Sequence, residues 1–253
     1  MLIPREHGAY GQLLFPLLSA LLIGRPSAGA YLLAASAVAA FLAHEGLLVV
    51  LGQRGKRAAR EEGADARRSL ALFGGFCAVT ATVSVAVTSF DALSYLLVPL
   101  GLGALVAVAV FTHRERSTPG ELLVAVALSS VSLPVAIAGA VPHIRAVTLV
   151  IVFAAVFVTA TVAVRAMIGR VSRAGGPHPG LAAALTLAIL AGLAVAAQAG
   201  RLSPVAPFAA LPVCAVCLGL SARPPSPKHL RSIGWTLVGT TGLTAAILVA
   251  ALG

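Results

Sequence analysis

Residues 28–52 read AGAYLLAASAVAAFLAHEGLLVVLG, and residues 53–68, which follow directly, read QRGKRAAREEGADARR. The first stretch has Glu45 as its only charged residue, and it is long enough to cross the roughly 30 Å hydrocarbon core of a bilayer as a helix. The second stretch carries six Lys and Arg residues. An apolar run followed by a basic loop is typical of a membrane helix that ends on the cytoplasmic side.

The same alternation of apolar runs and short polar gaps continues through the chain, and it predicts about nine membrane-spanning helices. Their expected limits are residues 11–24, 28–52, 69–89, 93–111, 119–140, 144–165, 180–199, 204–220 and 233–252. For residues 53–68 we expect a solvated loop, with a short surface helix as the alternative. We therefore predict an all-α polytopic membrane protein in which residues 1–253 form one integral membrane domain.

The basic residues fall mainly in alternate gaps between these runs. Fifteen of the eighteen Lys and Arg residues share one set of gaps: Arg5, Arg54, Lys56, Arg57, Arg60, Arg67, Arg68, Arg114, Arg116, Arg165, Arg170, Arg173, Arg223, Lys228 and Arg231. The other gaps hold Arg25, Arg145 and Arg201. Because cations beside membrane spans stay in the cytoplasm, the N-terminus is predicted to lie inside and the C-terminus outside, in a cell membrane of the bacterial inner-membrane type.

Composition excludes a soluble domain. Hydrophobic residues make up 59% of the chain and charged residues 10%, whereas soluble domains carry about a quarter charged residues. The net charge of +10 is spread over short loops, so we expect the lipid bilayer as partner and no nucleic acid. The small residues at 28–30 resemble a signal-peptidase site, but Glu6 interrupts the preceding basic region, and we expect the first span to be retained.

The chain offers little that points to a metal or a cofactor. Cys214 and Cys217 share a helix face, yet no second pair and no nearby His completes a four-ligand site. No P-loop, dinucleotide fingerprint, zinc-hydrolase helix or nucleophile elbow is present in the sequence. The sequence therefore assigns no metal ligand, no cofactor and no catalytic residue, and it leaves open whether the protein is an enzyme.

Two ionisable residues inside the second span are the best candidates for a binding site. His44 and Glu45 lie about seven residues before the expected helix end, and such groups normally face a partner or a watery cavity. Their alternative role is to fix helix packing. Arg165, at the end of the sixth span, is expected either to pair with Glu45, to bind an anionic group or to extend to the interface.

Further candidates lie near the same side of the membrane. Glu121 follows Thr118 in a pattern that also predicts a helix-capping box, with Pro at the first helical position. Residues 4–11 read PREHGAYG and place Arg5, Glu6 and His7 just before the first span. This segment either folds into the mouth of a cavity or remains a mobile terminus.

The PREHGAY segment resembles the start of the YwiC-like family of bacterial membrane proteins. His44 and Glu45, the GQRG run that contains Arg54, Glu121 and Arg165 resemble other recurrent positions of that family. The resemblance covers essentially the whole chain and implies His44, Glu45, Arg165, Arg5, Glu6, His7, Arg54 and Glu121 as substrate-binding candidates. The family brings no settled activity with it.

A more distant resemblance is to the UbiA superfamily of prenyltransferases, which have nine helices and polar sites after the second and sixth spans. That likeness implies a UbiA-like bundle and a prenyl diphosphate ligand. The chain departs from the pattern because it has His44 and Glu45, and later Arg165 and Arg170, where spaced acids would hold magnesium. Direct contacts between Arg and phosphate are the physically sensible substitute.

The sequence thus supports two functional hypotheses. The first is a cytoplasm-facing polar cavity that binds an anionic amphiphile, an isoprenoid or a phosphate-bearing lipid, with a prenyltransferase-like reaction as an extension. The second is a small-solute or proton-coupled transporter in which His44 or Glu45 is the substrate or proton site.

Overall fold

The computed structural model describes residues 1–2, 7–115, 117–169, 176–223 and 230–253. Within these residues the chain is mainly helical. A five-residue π-helix at Leu70–Gly74 joins the helix that ends at Ser69 to the helix that begins at Gly75. The helices are α1 (His7–Ile23), α2 (Ala28–Val50), α3 (Gly55–Glu61), α4 (Gly63–Ser69), α5 (Gly75–Val87), α6 (Phe90–Ser94), α7 (Leu97–Phe111), α8 (Thr118–Ser130), α9 (Ser132–Ala138), α10 (His143–Gly169), α11 (Pro179–Gln198), α12 (Val205–Ala222) and α13 (Leu230–Leu252).

The helices form eight segments that are long and apolar enough to cross a membrane, and one shorter apolar helix at Gly8–Ile23, within the described residues. The prediction of an all-α polytopic membrane protein is confirmed, and its nine expected spans correspond to these nine segments. The third span begins at Gly63 rather than at residue 69, because α4, the π-helix and α5 continue one another. The fifth is interrupted at Val131, between α8 and α9.

The expected solvated loop after the second span was wrong, and its alternative is what the structure contains. Residues 55–61 form α3, and residues 63–69 form α4, which already belongs to the third span. An i,i+4 pair stabilises α3, since Arg57 Nε donates to Glu61 Oε1 over 2.8 Å. Charge alternation at helical spacing therefore outweighed the polar composition of the segment.

The longest helix, α10, lies at the centre of the bundle. It packs against α1, α8, α9, α11 and α12, and it buries Leu149, Val152, Phe153 and Val156 completely. The first span is part of this core, because α1 packs on α8, α9, α10 and α13, and buries Leu13. Helices in lipid associate through such close packing, since hydrocarbon tails are as apolar as the side chains.

Small residues join α2 to the third span along its whole length. A Cβ on Gly29 would come within 2.3 Å of Thr88 Oγ1, and a Cβ on Gly46 within 2.8 Å of the Ala66 carbonyl oxygen. Between them, the Ser36 hydroxyl donates to the Cys77 carbonyl oxygen over 3.2 Å. Backbones this close give α2 and the third span the character of one rigid pair.

The fourth span forms a second pair with the first half of the fifth, because α7 packs on α8. The two pairs meet at one end, where α9 packs on both α2 and α6. Elsewhere, hardly any packing joins α5 to α7 or α2 to α8 among the described residues. We call the space between the α2–α5 pair and the α7–α8 pair the lateral cleft. The end of the bundle that carries Arg54, Arg114 and Arg165 is here named the arginine-rich end.

Candidate functional site

The turn after α2 brings Arg54 back over the end of its own helix. Gly52 has a φ of +75° and Gly55 one of +87°, values that L side chains rarely adopt. The Gln53 N–H donates to the Leu48 carbonyl over 2.9 Å, and the Gly52 N–H to the Val49 carbonyl over 3.0 Å. This is a Schellman motif, in which a residue of positive φ ends the helix and reverses the chain. The reversal allows Arg54 to reach Glu45.

Arg54 is held by two carboxylates from different parts of the chain. Its Nε donates to Glu45 Oε1 over 2.8 Å, and its Nη2 donates to Glu45 Oε2 over 2.7 Å. Its Nη1 donates to Glu115 Oε1 over 3.2 Å. The exposed fractions of the three side chains are 17%, 21% and 24% for Arg54, Glu45 and Glu115. The two parallel bonds to Glu45 fix the plane of the guanidinium. The remaining nitrogen, Nη1, is thereby directed towards Glu115 on the α7–α8 connection.

The end of α7 repeats the geometry of the end of α2 with a non-glycine residue. His113 has a φ of +55°, its N–H donates to the Val110 carbonyl over 3.0 Å, and the Arg114 N–H donates to the Ala109 carbonyl over 2.8 Å. Glu115 follows two residues later. A left-handed conformation is costly for a residue with a Cβ. The backbone at His113 is therefore strained.

A polar cavity lies between these two helix ends. Its volume is about 230 Å³, and it is lined by Gln53, Arg54, His113 and Glu115. We call it the end pocket, because it lies at the arginine-rich end. The Gln53 Oε1 atom is buried without a hydrogen-bond partner in the described part of the protein. Buried polar atoms are nearly always paired, so this acceptor is an exception among the described residues, although its burial keeps it out of reach of the cavity.

A guanidinium that donates two hydrogen bonds to one carboxylate, as Arg54 does to Glu45, is here called an arginine fork. A second arginine fork joins the start of α8 to the end of α10. Arg165 Nε donates to Glu121 Oε2 over 2.7 Å, and Arg165 Nη2 also donates to Glu121 Oε1. The predicted capping box is corrected here, because the cap is Ser117, whose hydroxyl accepts from the Gly120 N–H. Glu121 is therefore turned towards Arg165 rather than back to the cap. The position of Glu121 in the sequence suits either a capping box or an ion pair. The presence of Arg165 on the neighbouring α10 decides in favour of the ion pair.

The structure distributes the predicted residues over two ion-paired groups. Glu45 and Arg54 are in one group, and Glu121 and Arg165 are in the other, so the expected pairing of Arg165 with Glu45 is not what either fork shows. His44 precedes Glu45 on α2 and is partly buried.

The N-terminal candidates are placed less fully. Arg5 and Glu6 lie outside the described residues, and of His7 only its main-chain place at the start of α1 is described.

Gln53, His113 and Glu115 were not predicted as site residues. The glycines at 52 and 55 signalled the turn beside Gln53, but no local pattern signalled a contact from residue 54 to residue 115. The described residues also include no group of three or more His, Cys, Asp or Glu side chains that could hold a metal ion.

Comparison with protein-family models matches residues 3–137 to the YwiC-like protein family. No curated protein and no solved structure matches the chain, so the likeness to UbiA prenyltransferases stays a prediction. The matched residues include Glu45, Arg54, Glu115 and Glu121, and they end before Arg165. Since the match covers more than half of the sequence, this multi-pass membrane protein belongs to the YwiC-like family.

Proposed function

We propose that this protein binds a phosphate-bearing membrane amphiphile, an isoprenoid phosphate or a phospholipid, with its chains in the lateral cleft and its head group in the end pocket. The observation that carries the proposal is the placement of a polar pocket at the end of a gap between two helix pairs. A ligand that lies half in lipid and half in water matches this combination of an apolar side opening and a polar end.

The size of the end pocket favours a head group rather than a whole ligand. Sites for drug-sized molecules occupy about 300–1,000 Å³, and the end pocket has about 230 Å³. The helices on either side of the lateral cleft expose apolar side chains, Val79 and Val83 on α5 and Leu105 and Val108 on α7. Hydrocarbon chains can occupy such a surface from the bilayer without crossing a polar barrier.

The geometry of Arg54 favours a phosphate as the group that it contacts. A guanidinium is always charged and matches phosphate oxygens with parallel N–H donors. The fork to Glu45 uses Nε and Nη2, so the Nη1 edge, on the side of the pocket, is the edge that a ligand would share with Glu115. In this proposal Glu45 positions Arg54, and a transferase reaction on the bound ligand would use the same contacts.

The orientation of the protein in the membrane follows from its distribution of charge. We place the arginine-rich end in the cytoplasm and the protein in the cell membrane, because basic loops are retained on the inner side. The end pocket then lies level with the head groups of the inner leaflet, which is where a lipid would enter the cleft.

Transport is the second candidate, and one observation favours it. The fifth span is interrupted at Val131, and Ser129, Ser130 and Ser132 are fully buried beside the interruption. Irregular turns within a span form substrate and ion sites in many transporters, and Val131 is such a turn although its own angles, φ −61° and ψ −27°, stay helical. Both Glu45 oxygens accept bonds from Arg54, so a proton-coupled role for Glu45 would require this fork to open.

Binding of dodecyl phosphate to the purified protein in dodecyl maltoside micelles tests the proposal. We expect saturable binding by titration calorimetry and an affinity at least about tenfold lower for Arg54→Gln, since a charge-assisted hydrogen bond contributes about 1.5–3 kcal/mol. Arg57→Gln is the matched control, because Arg57 is 88% exposed and pairs with Glu61. Equal affinities of the native protein and Arg54→Gln would overturn the proposal.

The rival function has its own measurement. Proteoliposomes that contain a pH-sensitive dye would report proton flux, and flux that disappears in Glu45→Gln would favour transport over simple binding.

A further inference from the structure

We propose that α3 binds anionic phospholipids of the inner leaflet through Lys56 and Arg60, which together are here named the α3 surface. The lipids that fit it are phosphodiesters with a net negative charge, of which phosphatidylglycerol is the simplest. The α3 surface is separate from the end pocket, and only the orientation of the protein in the membrane is shared with the proposed function.

The place of α3 in the chain puts it at the membrane surface. Two segments that can span a membrane flank it, Ala28–Val50 and Gly63–Val87. Within the described residues α3 packs on α2 and α4, and it buries none of its own residues. Because charged side chains are costly in the hydrocarbon core, this charged helix between two span ends lies level with the lipid head groups.

The connection that contains α3 carries more cations than its neighbours on the same side. Residues 53–68 hold six Lys and Arg residues against three acids. The other inner gaps between spans hold two or three cations each: Arg114 and Arg116; Arg165, Arg170 and Arg173; and Arg223, Lys228 and Arg231. Two or three cations thus serve to retain those gaps in the cytoplasm, and the excess in residues 53–68 points to a further role.

Ion pairs within the protein neutralise only half of these six cations. The paired ones are Arg54 with Glu45 and Glu115, Arg57 with Glu61, and Arg68 with Asp65. Lys56, Arg60 and Arg67 are exposed, and none of them has an anionic partner in the part of the chain that the structure describes. Charges that the protein itself leaves unneutralised are the ones that an external anion can approach.

The spacing of Lys56 and Arg60 makes them act together. They lie four residues apart in α3, so they share one face of the helix, with about 5–6 Å between their Cβ atoms. Arg67 adds a third exposed cation on the next helix, α4. Each Lys or Arg beside an anionic membrane surface strengthens binding about fivefold, and the guanidinium also matches phosphate oxygens with parallel N–H donors.

Native mass spectrometry of the purified, delipidated protein tests the proposal. Phosphatidylglycerol and phosphatidylcholine with the same acyl chains are added in equal amounts, and the bound fractions are compared. We expect phosphatidylglycerol to bind at least about tenfold more tightly, because two cations each contribute about fivefold. The double variant Lys56→Gln with Arg60→Gln should lose most of this preference.

The matched control removes the same number of charges from the opposite end of the bundle. Arg25 and Arg201 are exposed, and the double variant Arg25→Gln with Arg201→Gln should keep the preference. An equal loss in both double variants would assign the effect to net charge and overturn the α3 surface. Equal binding of the two lipids to the native protein would also overturn it, and that comparison needs no variant.

Arg54→Gln separates the α3 surface from the end pocket. We expect the preference for phosphatidylglycerol to persist in this variant, because Lys56 and Arg60 remain. A preference that is lost in Arg54→Gln but kept in the double variant of Lys56 and Arg60 would place the anionic lipid in the end pocket. That result would support the proposed function and overturn binding at the α3 surface.

Discussion

The two carboxylates on Arg54 are predicted to contribute unequally to stability. Glu45 accepts two bonds of 2.7 and 2.8 Å from the guanidinium, whereas Glu115 accepts one of 3.2 Å. The perturbation is the replacement of each by Gln, which keeps the shape of the side chain and removes its charge. Glu45→Gln should therefore destabilise the protein more than Glu115→Gln does.

The magnitudes follow from the burial of the pair. Exposed ion pairs contribute about 0.2–1 kcal/mol, and breaking a fully buried pair costs about 3–5 kcal/mol. Arg54 and Glu45 are 17% and 21% exposed, which places the cost of Glu45→Gln between these limits, at about 1.5–3 kcal/mol. For Glu115→Gln, with its single longer bond, we expect about 0.5–1 kcal/mol.

The assay is equilibrium unfolding by dodecyl sulfate in dodecyl maltoside micelles without added lipid. Double-mutant cycles with Arg54→Gln isolate the two pairwise energies from any other contact of these residues. Glu61→Gln is the control, because Glu61 is 60% exposed and pairs across one turn of α3 with the exposed Arg57, and its effect should lie below about 0.5 kcal/mol. A coupling energy for Arg54 with Glu115 equal to or larger than that with Glu45 would refute the reasoning.

Three further predictions concern the backbone, two of them beside the site and one at the opposite end of α2. A Cβ on Gly120 would clash with the Arg114 carbonyl oxygen, so Gly120→Ala should lower the free energy of unfolding by about 1–3 kcal/mol. Gly101→Ala is its control: nothing lies within 4 Å of a Cβ there, and the change should be neutral or stabilising in the same unfolding assay. His113→Gly should raise stability by about 1 kcal/mol, since it relieves the φ of +55°. Because His113 lines the end pocket, the same change should weaken binding of dodecyl phosphate. Ser27 caps α2 through its hydroxyl, and Ser27→Ala should lower the unfolding free energy by about 1 kcal/mol; an unchanged midpoint would contradict that capping role.

The sequence was a good guide to the spans because hydrophobicity is a local property. A run such as residues 28–52 must be helical in lipid, since every backbone N–H and C=O needs an internal partner there. Polar segments at the membrane surface are less constrained, and this is why residues 53–68 were expected as a loop although they form α3 and α4. The interruption at Val131 also had only a weak local signal, the nearby Pro134, whose missing N–H breaks the hydrogen-bond ladder of a helix.

The site was less predictable, because its contacts join residues that are distant in the sequence. Glu45 and Arg54 are nine residues apart, and the glycines at 52 and 55 make their meeting a local event that the turn chemistry explains. The contact from Arg54 to Glu115 spans 61 residues, and the contact from Arg165 to Glu121 spans 44. Both depend on which helices become neighbours, and an apolar span carries no local code for its neighbour.

The α7–α8 connection links the two arginine forks mechanically. Glu115 lies on this connection and Glu121 six residues later in the first turn of α8, and each holds an arginine: Arg54 from the turn after α2 and Arg165 from α10. Gly120 packs on the carbonyl oxygens of residues 114 and 115, so the first turn of α8 has little room to move relative to those residues. Widening the lateral cleft at the arginine-rich end therefore requires either that Glu115 leaves Arg54 or that the whole connection moves with Arg54 and strains the fork to Arg165. The first path breaks one bond of 3.2 Å, and the second disturbs a bidentate pair. Because the single bond is the weaker of the two, the Arg54–Glu115 contact is where the cleft should open.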